Sequence, residues 1–258
     1  MSADLTPNER YPEEYGEGFH DRLAEFWPEP KEQLHAGGWT YTRSFLSRLN
    51  IAAGQSVLDV CCGEGATACW LAQSQNVRVT GVDIVRSAIE AARERAARLE
   101  VSDKCTFIHA DIADLPVTSS TYDLIYGQDP DGFARDDRAR SFRECARVLR
   151  PGRLFGIHHW IPGPGATPDI VQSFDRANHD AGYPSHINVH ADAYVEAMTD
   201  AGLREIEVED ISEMYQAHLK AITSRMLAAG KTPDPWASIW IKLAARHPFG
   251  VALFARKP

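Results

Sequence analysis

Several ordinary framework signals are absent. The five cysteines are an odd number, no two stand as Cys-x-x-Cys, and Cys61 and Cys62 are neighbours. Neither a disulfide framework nor a zinc ribbon is therefore expected. No apolar run approaches the ~18 residues that a membrane span needs. Residues 1–10 are polar rather than basic and then apolar, so no membrane contact is expected and the cytoplasm is the expected compartment. Positive charge is scarce, with 27 Lys and Arg against 36 Asp and Glu and a formal net charge of -9. A nucleic-acid backbone would meet net repulsion, and no nucleic-acid partner is expected. The ten histidines include no His-Glu-x-x-His helix, and His186 and His190, four apart, sit in a stretch that reads as a loop running into a helix. No metal site is expected.

What is present is the mixture of a globular protein, 44% hydrophobic and 24% charged over 258 residues, enough for one large domain or one domain with an insertion. Residues 1–34 read as an irregular or short-helical arm. Thr40 to Leu49 is amphipathic, and Gly54 is the expected helix stop. Strand-like and helix-like periods then alternate: strands at Ser56–Cys61, Val77–Val82, Cys105–His109, Tyr122–Tyr126 and Leu154–Ile161, helices at Ala66–Gln73, Val85–Leu99 and Asp137–Leu149. That alternation implies crossovers and an α/β fold with a doubly wound, mostly parallel seven-stranded sheet covered by helices on both faces. After Ile161 the pattern breaks at Pro162-Gly163-Pro164-Gly165. Helices near Ile170–Asp180, His190–Ala201, Ile211–Ala229 and Trp236–Arg246 follow, with strands at Leu203–Val208 and Gly250–Ala255. The expected organisation is an N-terminal helical arm over 1–53, a binding core over 54–161, and a helical lid inserted after the fifth strand together with the last strands over 162–258.

The first strand runs into Asp59-Val60-Cys61-Cys62-Gly63-Glu64-Gly65-Ala66-Thr67-Ala68, which fits G-x-G-x-x-A between a strand and a helix. Glycine there lets a nucleotide approach the backbone, and the helix start offers free N–H groups. Asp83 ends the second strand twenty residues past Gly63, where an acid can accept ribose hydroxyls, and Asp111 ends the third strand. Asp83 can alternatively cap the helix that follows Val85, and Asp111 a short turn before Leu115-Pro116. A buried, unpaired Asp59 would cost several kcal/mol, which a cationic ligand would offset. Cys61 and Cys62 also read as small core residues at a strand end.

With these residues the chain resembles the class I S-adenosylmethionine-dependent methyltransferases of the small-molecule branch. Gln128-Asp129 is similar to the Gln-Asp-Ala of the sarcosine and dimethylglycine methyltransferases, and His35-Ala36-Gly37-Gly38 resembles a segment that closes over the cofactor. The resemblance implies S-adenosyl-L-methionine as cofactor. Asp59 and the loop of Cys61, Gly63 and Gly65 would hold its methionine end, Asp83 its ribose, and Asp111 and Ile112 its adenine, with Gln128 beside the sulfonium and Gly38 and Ile84 also against the cofactor. Acids rather than a lysine or an anion nest suit a ligand that carries an ammonium and a sulfonium but no phosphate.

The expected reaction is methyl transfer to N, C, O or S of a small-molecule substrate by in-line displacement. His158, His159, Tyr183 and His186 are the candidate proton acceptors, the adjacent pair His158 and His159 pointing to opposite faces of their strand. Trp27, Trp39, Tyr126, Trp160 and Tyr183 could cage a cation, and Arg43 could meet the cofactor carboxylate. Two other readings compete: an NAD-dependent oxidoreductase, which Glu64 disfavours by repelling a pyrophosphate, and a non-catalytic binding subunit with the same fold. A base-methylating enzyme is disfavoured because Asp129-Pro130-Asp131-Gly132 lacks an aromatic to stack a flipped base. A homodimer is allowed but not required by the pattern.

Overall fold

The central strands are apolar on both faces, which a chain tolerates only when helices cover both. In the computed structural model, which describes residues 35–134, 137–180, 189–230 and 247–258, they form a seven-stranded sheet. Its strands are β1 (Ser56–Val60), β2 (Arg78–Asp83), β3 (Cys105–His109), β4 (Tyr122–Gln128), β5 (Leu149–Pro162), β6 (Arg204–Asp210) and β7 (Phe249–Arg256), in the order β3-β2-β1-β4-β5-β7-β6. The first five run parallel to their neighbours, whereas β7 lies antiparallel between β5 and β6. Mostly parallel is therefore the architecture, with the reversal confined to the last-inserted strand.

Helices α1 (Gly38–Ser47), α2 (Ala66–Gln75), α3 (Arg86–Arg98) and α7 (Ser212–Ala228) pack on one face through Phe45, Leu71, Ile89 and Tyr215. Helices α4 (Arg138–Val148) and α6 (Ala191–Asp200) cover the other through Phe142, Tyr194 and Met198. Helix α5 (Pro168–Asp180) follows β5 and buries Phe174 against Phe249 at 5.2 Å between ring centroids.

Two boundaries differ from the sequence reading for physical reasons. Helix α1 ends at Ser47, capped at Arg48, so Gly54 does not stop it; Gly54 instead turns the chain at φ +84° into β1, its N–H donating to the Asn76 carbonyl at 2.9 Å. Strand β5 begins at Leu149 rather than Leu154, because Arg150 precedes a proline and is biased to extended backbone. The helix expected near Trp236–Arg246 lies outside the described residues. Among the described residues no helix is long and apolar enough to cross a membrane.

The chain leaves β1 toward β2 and β3, then passes back over β1 to β4 and β5. The switch point, where ligands of such sheets bind, is the cleft at the carboxyl ends of β1 and β4.

Candidate functional site

The loop after β1 makes its turns at positive φ: Cys61 at 56°, Gly63 at 51° and Gly65 at 70°. Cys61 therefore holds a left-handed conformation that glycine adopts more easily, and both Cys61 and Cys62 are half-buried and packed against the edge of the core. Gly65 is required sterically as well, since a Cβ there would fall 2.7 Å from the Phe107 ring and 2.9 Å from Ala92 Cβ. This contact seats the loop on β3 and α3 and aims the start of α2 into the cleft.

The three strand-end acids line this cleft, all buried. Asp83 accepts the Gly63 N–H through Oδ2 at 2.8 Å and the Val85 N–H through Oδ1 at 2.9 Å, so it ties the glycine loop to the start of α3. Asp111 accepts the Ala113 N–H at 2.9 Å, the turn-capping geometry anticipated for it. A carboxylate oxygen carries two lone pairs, so an acid of this kind can accept from a ribose hydroxyl as well as from a backbone N–H. Ile84 presents its carbonyl to His109 Nε2 at 2.9 Å, and Ile112 is buried against the position a Gly132 Cβ would take.

Asp59 is not unpaired. The Tyr126 hydroxyl donates to its Oδ2 at 2.6 Å. Burial nevertheless pushes its carboxyl up to about 8, with Asp83 adding to the rise and the Tyr126 hydrogen bond opposing it. A deeply desolvated acid at the switch point suits a cation, and the set as a whole fits adenosylmethionine. Glu64 meets Arg95 at 3.2 Å, which offsets part of the charge whose repulsion counted against a pyrophosphate.

A second network gathers at the end of β4. Gln128 Oε1 accepts from the Thr67 hydroxyl at 2.9 Å, and Gln128 Nε2 donates to Thr42 Oγ1 at 3.1 Å and faces His158 Nε2 at 3.3 Å. His158 Nδ1 lies 3.0 Å from the Tyr215 hydroxyl, which donates to Asp129 Oδ1. Asp129 sits at φ +50°, which turns its side chain back so that Oδ2 accepts the Ala36 N–H at 2.8 Å. The Gly37 N–H donates to His218 Nδ1 at 3.4 Å. Residues 35–38 are thus fastened to β4 and α7. Burial works to raise the Asp129 carboxyl, but His158, His159 and the Tyr215 hydroxyl outweigh it and hold it at about 2. Burial lowers His35 to about 4, helped by His158, and lowers His218 to about 4 against the pull of Asp129.

The structure thus brings His158 and Gln128 together and places His159 on the opposite face, where its Nδ1 meets the Tyr194 hydroxyl at 2.8 Å and its Nε2 meets Asp131 at 3.2 Å. Gly38 opens α1 beside this network. Tyr183 and His186 lie outside the described residues, as does Trp27. Tyr126 is spent on Asp59, Trp39 packs on Trp70 at 5.5 Å, Trp160 packs on Tyr215 at 4.5 Å, and Arg43 is exposed. Among the described residues no group of acids, histidines and cysteines is placed to hold a metal ion. Sequence reading missed Thr42, Thr67, Tyr215 and His218 as network members, and passed over the anchoring role of Asp129. An aromatic or a threonine on an amphipathic helix carries no local mark that separates it from the core.

A methyltransferase domain family matches residues 57–152. Methyltransferase GfsG of Streptomyces halstedii is 32% identical over 73% of this chain and 67% of its own length. The 27-O-demethylrifamycin SV methyltransferase of Amycolatopsis mediterranei is 29% identical over 78% of both chains. Among solved structures, geranyl diphosphate C-methyltransferase from Streptomyces coelicolor, in complex with S-adenosyl-L-homocysteine, shares the fold with a TM-score of 0.72 at 17% identity, covering 85% of this chain and 77% of that one. The chain belongs to the class I S-adenosylmethionine-dependent methyltransferases. It is an enzyme that uses S-adenosyl-L-methionine to methylate small molecules, and neither the nicotinamide nor the non-catalytic reading is supported.

Proposed function

We propose that the enzyme methylates a hydroxyl oxygen of its small-molecule acceptor, with His158 Nε2 taking the hydroxyl proton. The observation that carries this reading is the hydrogen-bonded line from Gln128 through His158 and Tyr215 to the ionised Asp129. In this line the imidazole on β5 stands beside Gln128, the last residue of β4. A neutral hydroxyl is a weak nucleophile, and phenols ionise only near pH 10, so their proton has to leave as the new bond forms. An amine attacks through its lone pair and sheds a proton afterwards, and a thiol is partly ionised near neutrality. A dedicated, oriented base is therefore most useful to an oxygen acceptor. The relative whose name specifies a 27-O-demethyl acceptor agrees with this reading.

Adenosylmethionine, when bound, supplies a methyl group activated by its sulfonium. In this reading Asp59, Cys61, Gly63, Gly65 and Gly38 hold its methionine end, Asp83 and Ile84 its ribose, Asp111 and Ile112 its adenine, and Gln128 the sulfonium side. Holding acceptor oxygen and methyl in line contributes the larger part of the rate. Residues 1–53 act as an arm over the cofactor, 54–161 as its binding core, and 162–258 as the acceptor side. The fastening of Ala36 to Asp129 and of Gly37 to His218 supports that division.

The test is adenosylhomocysteine formation from adenosylmethionine with a phenol, a primary alcohol, an alkylamine and a thiol. Turnover confined to hydroxyl acceptors, lost in His158→Ala while adenosylhomocysteine still binds, supports the reading. Turnover with the amine alone, or an undiminished rate in His158→Ala, overturns it.

A further inference from the structure

His158 Nδ1 and Asp129 Oδ1 stand 3.6 Å apart, beyond an ordinary hydrogen bond, and the Tyr215 hydroxyl lies against both, 3.0 Å from His158 Nδ1 and donating to Asp129 Oδ1. This inference rests on the reading of His158 as the base and deepens it. The geometry points to Tyr215, on α7, as a positioning residue that, with the Asp129 carboxylate it donates to, holds the His158 ring proton on Nδ1 and leaves Nε2 unprotonated.

The assignment follows from counting protons along the line. Asp129, ionised, can only accept. The Tyr215 hydroxyl has one hydrogen and gives it to Asp129, so toward His158 its oxygen can only accept. His158 Nδ1 therefore carries the ring proton and Nε2 is bare. The other end is compatible with that tautomer. The Thr42 hydroxyl donates to the Gly38 carbonyl at 2.9 Å, so toward Gln128 it accepts, which fixes the Gln128 amide with Nε2 facing Thr42. That same amide nitrogen lies 3.3 Å from His158 Nε2 and 3.4 Å from His35 Nδ1, so a bare His158 Nε2 is an acceptor within its reach. Burial of Tyr215 and the neighbouring Asp129 raise its hydroxyl well above the ordinary tyrosine range, so it keeps its proton and does not itself compete as the base. The Tyr215 ring is pinned by Trp160 at 4.5 Å and by Phe249 at 5.7 Å, and a Cβ on Gly250 would fall 2.1 Å from Tyr215 Cδ2. The hydroxyl is held in place by packing rather than by the two groups it bridges.

The experiment is nitrogen-15 NMR of histidine-labelled full-length enzyme with adenosylhomocysteine bound, His158 being assigned by its loss in His158→Ala. The expected result is a protonated Nδ1 and a bare Nε2. Tyr215→Phe, which keeps the ring and removes the hydroxyl, is expected to mix or reverse that tautomer. It should also lower kcat for the phenol roughly 10- to 100-fold with its KM unchanged. A protonated Nε2 in the unsubstituted enzyme overturns the proposal, whatever the variant's folding. So does a Tyr215→Phe protein with the native tautomer and kcat. If His158→Ala turns over normally, the base assignment itself has failed. If His158→Ala is inert while Tyr215→Phe behaves as the native enzyme, only the role of Tyr215 has failed.

Discussion

Asp59 and Tyr126 face one another in register across the central parallel pair β1 and β4, the tyrosine hydroxyl donating to Asp59 Oδ2 at 2.6 Å. The pair holds an acid that burial has pushed up to about 8 at the point where the chain turns into its glycine loop. In the free protein near neutrality this carboxyl is largely protonated, and a cation beside it favours ionisation. Cofactor binding should therefore release a proton, and affinity for adenosylmethionine should rise as pH increases toward 8 and level off above it. Calorimetry in two buffers of different ionisation enthalpy measures the release. Asp59→Asn should bind at least tenfold more weakly and lose most of the linkage.

The same residue separates stability from function. A carboxyl protonated in the folded state but ionised in the unfolded chain costs stability between its ordinary value near 3.8 and about 8. Asn keeps an oxygen for the Tyr126 hydroxyl and cannot ionise. Asp59→Asn should raise the melting temperature of the cofactor-free protein at pH 8, with a gain that vanishes toward pH 4.

His35 and His218 work in the opposite direction. Each is lowered to about 4 by burial, so the unfolded chain takes up protons below its usual 6.5 while the folded protein does not. Their stabilisation is complete above about 6.5 and lost as pH falls toward 4. As pH falls between those limits the two histidines together lose about twice what Asp59 gains. Stability of the free protein should peak near pH 6.5, and His218→Gln should flatten the acid limb. A series of thermal melts from pH 4.5 to 8.5 measures both, and a steady rise to pH 8 would contradict the assignment.

The glycine loop gives two further contrasts. Gly65→Ala forces a methyl group into Phe107 and Ala92 at φ +70° and should cost about 2 kcal/mol or more, with loss of adenosylhomocysteine binding. Cys61, in contrast, already strains its backbone. Cys61→Gly should be tolerated within about 0.5 kcal/mol, whereas the β-branched Cys61→Val should cost roughly 1–2 kcal/mol in chemical denaturation.

Asp83 holds two backbone N–H groups, of Gly63 and Val85, that would otherwise be buried without partners. Asp83→Ala should weaken adenosylhomocysteine binding at least tenfold and lower the melting temperature, since unsatisfied buried donors cost about 1–3 kcal/mol each. Unchanged affinity would remove Asp83 from the cofactor site.

The cofactor half was legible because its signals are local. Apolar runs bounded by turn residues gave β1 to β4, with β3 at the residues observed, and the spacing of Asp59, Gly63, Gly65 and Asp83 reports strand ends directly. The acceptor half was not. The direction of β7 depends on which neighbour it finds, which no periodicity encodes. Tyr215 meets His158 only through pairing of residues 57 apart in sequence, and its helix carries no local sign of that partner. Glu64 read as a free charge because it lies in the turn after β1 and its partner Arg95 is far along the chain on α3.

The place of β7 between β5 and β6 has a consequence for how the enzyme comes into being. During synthesis, β1 to β5 can zip together as they emerge, and with them the cofactor cleft. Edge strand β6 waits unpaired until residues 249–256 are made, and α7 packs on that late strand. A nascent chain should thus gain a cofactor cleft before it gains an oriented base, so a polypeptide stopped short of β7 would hold a methyl donor without the means to direct it.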